Sequence, residues 1–348
     1  MSFNSTIKWF FVSSAILLIV LSIYQSNKPV NFITDNLYVL EVVNSQEDRL
    51  IKTNNVGVTK SVIYEGKKIQ NFGVNQGKLL IATGQKNKKS TIELINLSDK
   101  STKLIELGDQ YVSKIIPVNI KFVFLYEEVS EGFRAYKAKI GIIDIATMQI
   151  SNPNPSFLAN DVAELYANRE GTLAVFSGFN GYKYLLDLVN TDNIVRIPTG
   201  FNFTANFINQ KTLVAGLYNN ENIMFIDLVT NNVEKKTLES KYFESILATN
   251  NGNLFYTIKN GDEYSSLYRL TDLNKSINFV SSSESFKDPI IDNKEQYLAF
   301  KKISNETIQI EKDYSKVGTI NSQILVYDTK SKQVQNSGLM GIKYQFEF

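Results

Sequence analysis

Seven short apolar runs recur along the chain at near-constant spacing, and this periodicity restricts the fold more than any other feature. NLYVLEV (36–42), GKLLIAT (77–83), KFVFLYE (121–127), GTLAVFS (171–177), KTLVAGL (211–217), GNLFYTI (252–258) and QYLAFKK (296–302) each read as a strand. Their first large apolar residues are Leu37, Leu79, Phe122, Leu173, Leu213, Leu254 and Leu298, in steps of 42, 43, 51, 40, 41 and 44 residues. Each run leads through a polar segment to a second strand, such as IELINL (92–97), IGIIDI (140–145) or IMFIDL (223–228), then a tight turn and a third. A further strand precedes most units, as in KIQNFGV (68–74), SKIIPVN (113–119) and DPIIDNK (288–294). About 40–45 residues per unit with several strands each is the pattern of a β-propeller, one sheet per blade. The expected fold is therefore all-β, a seven-bladed β-propeller over 36–348.

The second strands close on Asn96, Asp144, Asp187, Asp227 and Asp328, with Asp272 shifted by one in the sixth unit. A short polar side chain there bonds the backbone of the following turn. Residues recurring in most repeats are spread around a ring, so they read as structural turn formers. The first unit has no convincing preceding strand, but the chain ends with GIKYQFEF (341–348), where Ile342, Tyr344, Phe346 and Phe348 alternate with other residues. This strand is expected to close the ring as the innermost strand of the first blade, removing exposed edges. The alternative is that PVNFIT (29–34) fills that place.

Several segments carry a family likeness. DNKEQYLAF (292–300) resembles the strand pair of TolB-type and WD40-like propellers, and QILVYDTKSKQV (323–334) and NIMFIDLVTNNVEKKT (222–237) look like the repeat of YVTN-type propellers. The resemblance is one of architecture. The Gly-His and Trp-Asp dipeptides of WD40 repeats are absent, since the chain's single Trp lies near its start. The resemblance implies a propeller and carries over no partner.

Between Lys8 and Lys28 no residue bears a formal charge, and Trp9–Tyr24 is strongly apolar. As a helix the uncharged run reaches about 28 Å, near the thickness of a bilayer core. Trp9 and Tyr24 mark the two interfaces. The reading is a short tail (1–8), a transmembrane signal-anchor helix (9–24) and a linker (25–35), with cleavage and secretion as the alternative. The slight excess of positive charge before the helix places the propeller outside the cytoplasm, periplasmic or at the cell surface.

Composition narrows the chemistry. With no Cys and no His among 348 residues, thiolate nucleophiles, imidazole catalysis and the usual zinc sites are excluded. A net charge of +2 gives no ground for a nucleic-acid partner. GVNQGKL (73–79) falls one residue short of a phosphate-binding loop and reads as a turn. No cofactor or metal is expected. The long connections EEVSEGFRAYKA (127–138), SNPNPSFLAND (151–161) and ISNETIQIEKDYSKVGTI (303–320) emerge on one face. They and equivalent loops carry Phe133, Arg134, Tyr136, Phe157, Phe179, Tyr182, Tyr218, Tyr264 and Tyr314. Aromatics and Arg on loops of a rigid scaffold suit binding. The expected function is a non-catalytic, membrane-tethered module for a protein partner in an envelope or surface assembly. Two alternatives stand beside it: a glycan binder or carboxylate-dependent glycan-cleaving enzyme using Glu127, Glu128, Glu131 or Asp313, and a structural subunit of a large complex.

Overall fold

The computed structural model describes residues 33–348 apart from 56–58, 85–89, 109, 129–134, 152–156, 161–164, 178–181, 191–192, 198–202, 218–221, 238–242, 249–253, 261–263, 273–274, 279–284, 293, 304–321 and 347–348. The expected tail, the helix 9–24 and most of the linker lie outside the described residues. No helix among the described residues is long and apolar enough to cross a membrane.

Alternating apolar patterning produces strands throughout, and among the described residues they pair into seven antiparallel sheets. The first contains β1 (Ile33–Val42), β2 (Glu47–Asn55) and β3 (Thr59–Lys67). The second contains β4 (Ile69–Asn75), β5 (Lys78–Thr83), β6 (Ser90–Asn96) and β7 (Thr102–Gly108). The third contains β8 (Gln110–Val118), β9 (Lys121–Glu128), β10 (Ala135–Asp144) and β11 (Ile150–Ser151), with β12 (Phe157–Asn160) also paired to β10. The fourth is β13 (Leu165–Ala167), β14 (Leu173–Ser177), β15 (Lys183–Asp187) and β16 (Ile194–Arg196). In the fifth, β17 (Phe203–Phe207) leads to β18 (Thr212–Leu217), β19 (Asn222–Asp227) and β20 (Val233–Thr237). The sixth holds β21 (Phe243–Ala248), β22 (Leu254–Asn260), β23 (Tyr264–Asp272) and β24 (Lys275–Asn278). Last come β25 (Ser285–Ile291), β26 (Tyr297–Ile303), β27 (Ser322–Asp328) and β28 (Gln333–Gly341), and then β29 (Lys343–Phe346).

That final strand returns to the first sheet and lies beside β1, with Leu37 opposite Phe346 and Leu40 opposite Lys343. The strand β1 itself begins at Ile33, inside the stretch the sequence assigns to the linker, and its register shifts between Ile33 and Leu37. The leading strands β4, β8, β13, β17, β21, β25 and β29 adjoin one another in a closed cycle. This is an all-β β-propeller with those strands around its central channel.

The core lies between sheets. One apolar cluster joins Leu80, Ile92 and Leu94 of the second sheet to Ile115, Phe122 and Phe124 of the third. Another joins Val123, Leu125 and Ile140 to Leu165, Phe176 and Leu186 of the fourth. Similar clusters continue round to Phe255 of the sixth sheet against Phe286, Leu298 and Phe300 of the seventh. Each fully buried side chain of this size contributes about 1.5–3 kcal/mol.

The turns after the third strands are tied by the predicted Asx residues. Asp187 Oδ1 accepts from Val189 and Asn190 N–H at 2.8 and 2.9 Å, and Asp227 Oδ1 accepts from Val229 and Thr230 N–H at the same distances. Asp144 accepts from Thr147 N–H at 2.8 Å, Asp328 from Lys330 N–H at 2.8 Å, and Asn96 from Ser98 N–H at 3.3 Å. Asp272 ends β23 opposite Lys275. Backbone N–H donors hold the carboxyls of Asp144 and Asp227 below the usual range.

Candidate binding site at one mouth of the channel

In the second, third, fourth, fifth and seventh sheets the leading strand ends at a turn into the second strand, and these turns form one rim of the channel. Local hydrogen bonds fix them. Asn168 Oδ1 accepts from the N–H groups of Thr172 and Leu173, both at 2.9 Å. Asn209 Oδ1 accepts from Lys211 and Thr212 N–H at 2.8 Å. Asp292 Oδ1 accepts from Gln296 and Tyr297 N–H at 2.7 and 2.8 Å. Within GVNQGKL, Gln76 and Gly77 take φ of 45° and 70°, the left-handed pair of a two-residue hairpin turn. Adjacent turns are also laced together. Asn75 Nδ2 donates to the carbonyls of Asn119 and Lys121 at 2.8 and 3.1 Å, and Asn119 Nδ2 donates to Glu170 O at 3.2 Å.

Within this rim lies a cavity of about 300 Å³. Its apolar wall includes Ile116, Pro117 and Val118 of β8, Phe207 of β17, Leu247 of β21 and Ile290 of β25. Its polar lining is Arg169, Glu170, Asn206, Asn209, Asp292 and Glu295. Five sheets contribute, from residues as far apart as 116 and 295. Three carboxyl side chains and one guanidinium stand among the described lining residues. Asp292 is only 2% exposed, and Glu170 Oε2 is shielded from solvent without a hydrogen bond.

A buried amine lies at the other end of the leading strands. Lys343, first residue of β29, donates from Nζ to Gln70 O at 2.7 Å. Burial pushes its amine down to about 8, and Lys114 and Lys301 add to the effect. Lys301 pairs with Asp288 at 2.7 Å.

The sequence directs attention to the opposite face, where second strands pass to third. There the structure corrects the reading of 127–138 and 151–161 as loops. Glu127 and Glu128 end β9, Tyr136 lies in β10 and Phe157 in β12. Tyr136 stands opposite Ala159, Ala138 opposite both Glu127 and Phe157, and Lys137 opposite Glu128. The hairpin extends because β12 supplies backbone partners to the outer edge of β10, groups that a loop would leave to water. Tyr264 opens β23. Tyr182 is half-buried, with the Arg196 guanidinium 3.3 Å from its ring centre. Phe133, Arg134, Phe179, Tyr218, Tyr314, Glu131 and Asp313 lie outside the described residues. The sequence does not single out Glu170 and Glu295, which line the cavity. Their one signal is charge in the turn that follows a leading strand, as in ANREGTL (167–173) and DNKEQYL (292–298).

No protein-family model matches the chain, and no curated protein matches it. Among solved structures the chain is similar to a prolyl endopeptidase, with a TM-score of 0.61 and 10% identity over 91% of this chain and 51% of that one. It is also similar to the Pyrococcus horikoshii acylaminoacyl peptidase, with a TM-score of 0.59 and 12% identity over 88% of this chain and 52% of that one. An oligogalacturonate lyase in complex with manganese gives a TM-score of 0.57 and 10% identity over 73% and 79% of the two chains. The chain spans about half the length of the two peptidases it matches. At these identities the likeness is one of fold alone.

Proposed function

We propose that this chain is a non-catalytic, seven-bladed propeller that binds a protein partner at the mouth of its channel and is tethered to a membrane by residues 9–24. The observation that carries the reading is the cavity lined from five sheets on a rim fixed by Asx and sheet-to-sheet hydrogen bonds. A rigid rim supplies an ordered surface without the entropy cost of arranging it on binding. The seven-sheet cycle supports the blade number, and the uncharged run 9–27 supports the tether. A second reading, carboxylate-dependent cleavage of a glycan or peptide, draws on Glu170, Asp292 and Glu295 sharing one cavity and on the fold likeness to peptidases and a lyase.

One experiment addresses both. The tagged full chain is sedimented with membranes, gently solubilised and affinity-purified. A stoichiometric protein partner, lost on either Ile290→Arg or Glu295→Arg while circular dichroism is unchanged, is the expected result. Retention of the partner by both folded variants would overturn the channel-mouth reading. Hydrolysis of saccharide or peptide by the purified chain, lost on Glu170→Gln or Glu295→Gln, would replace it with the second. Recovery of the protein in the soluble fraction would remove the tether.

A further inference from the structure

We propose that the channel-mouth face of the propeller lies on the membrane surface, with Val189, Val229 and Ile120 seated among the lipid headgroups. This rests on the tether in the reading above and adds which face is turned to the bilayer.

Two independent observations lead there. The first is the end at which the chain enters. β29 adjoins β4 and runs the same way, since Lys343 Nζ donates to Gln70 O at 2.7 Å and Gln345 Nε2 approaches Val74 O at 3.4 Å. β1 runs antiparallel to β29 with Leu37 opposite Phe346, so its first residue, Ile33, stands at the mouth end and Val42 at the other. Only residues 25–32 separate Ile33 from the apolar run that closes on Tyr24, and nine residue steps reach at most about 32 Å. A tether of that reach meets the ring at the mouth end of the first sheet.

The second is an arc of apolar tips on the same face. Val189 and Val229 are 73% and 67% exposed, more than any other large apolar side chain among the described residues, and Ile120 is 43% exposed. All three stand in turns at the mouth end. Leu188 N–H donates to Thr172 O, Leu228 N–H to Lys211 O and Ile145 N–H to Ile120 O, at 2.7, 2.8 and 2.9 Å. The turns do not require the valines. Each lies two residues past its strand-ending Asp and serves the turn only through its N–H. Ser98, Ala146 and Lys330 hold the same place in the second, third and seventh sheets. The tips belong to the third, fourth and fifth sheets, consecutive in the ring and across it from the first. A tether on one side and apolar tips on the other seat the whole face, whereas an edge-on ring would leave both valines in water. Burying them at the boundary of headgroups and acyl chains removes that apolar surface from water. A protein that meets the channel mouth is then one held in the same bilayer.

The chain has no Cys, so single cysteines can be labelled cleanly. The full chain is reconstituted in phosphatidylcholine vesicles that carry a nitroxide-headgroup lipid, with a bimane label on Val189→Cys, Val229→Cys or Val43→Cys in turn. Val43 is 44% exposed and follows β1 at the opposite end. Flotation of the vesicles first reports the tether. The nitroxide is expected to quench the labels at 189 and 229 at least about threefold more than the label at 43, which stands a ten-residue strand, roughly 30 Å, farther from the bilayer. A label on Ile120→Cys should follow the valines and lose most of its quenching when Val189→Asp and Val229→Asp are added. Equal quenching at all sites, strongest quenching at 43, or none in vesicles that float the protein would overturn the inference and leave the tether standing. Failure of the unaltered chain to float would remove the tether and the inference with it. Labels unquenched by lipid, with a protein cross-linked from position 229 in native membranes, would refute the lipid seat in favour of a protein cover.

Discussion

Gly141 and Phe124 face each other across β9 and β10, and the ring of Phe124 occupies the space a side chain would need. A Cβ on Gly141 would lie 2.1 Å from the ring. Phe124 is fully buried in the cluster between the second and third sheets, so its ring has nowhere to withdraw. Gly141→Ala is therefore expected to destabilise the fold by about 1–3 kcal/mol, the usual cost of overpacking a filled core. Urea denaturation of the two proteins checks this. An unchanged midpoint would mean that the ring moves aside freely.

At the scale of elements, β29 has the most consequence for its length. Ile342 N–H donates to Leu40 O at 2.8 Å, Tyr344 O–H donates to Asp288 O of the seventh sheet, and Gln345 Nε2 approaches Val74 O of the second at 3.4 Å. One strand thus joins the first sheet to both its neighbours. Gly341 permits the approach, because a Cβ there would lie 2.6 Å from Leu40 O. Ending the chain at Gly341 would uncover β1, where Leu37, Tyr38, Val39 and Leu40 are fully buried. The truncated protein is expected to unfold at lower urea or to associate through the bare edge, and the peptide GIKYQFEF added in trans should reverse either effect. Size-exclusion chromatography and urea denaturation report the outcome. A truncated monomer of unchanged stability would show that the strand is dispensable.

For the ring as a whole, Lys343 makes stability depend on pH at the seam of the first two sheets. Its amine is held down to about 8 in the folded state, first by burial and then by Lys114 and Lys301, against about 10.4 in an unfolded chain. Between those values the unfolded chain holds the extra proton, so this group's contribution to stability rises with pH across about 8 to 10.5. Below about pH 8 the full penalty of the buried charge is present. Compared with Lys343→Met, the unaltered protein should gain stability over that interval. Lysines and tyrosines that do not interact with Lys343 titrate alike in both proteins and cancel in the difference. A difference that stays flat with pH would contradict the assignment.

The repeat of strands, the Asx turns and the alternation that drives GIKYQFEF into a sheet were legible because each is a local matter. Period-two alternation sets which residues of a strand face a core, and Asp227 finds its donors at Val229 and Thr230. The extension of β10 was not legible, since it depends on β12 arriving from beyond residue 156 to complete its hydrogen bonds. Nor was the cavity. Glu170 and Glu295 stand in turns whose local chemistry is that of any polar hairpin, and they share a lining with Phe207 only once the ring has closed. Sequence by itself determined that the chain repeats as sheets, because strand patterning and turn bonding act over a few residues. Tertiary structure alone decided which ends of those sheets converge, because long-range packing between sheets sets the places of side chains more than a hundred residues apart.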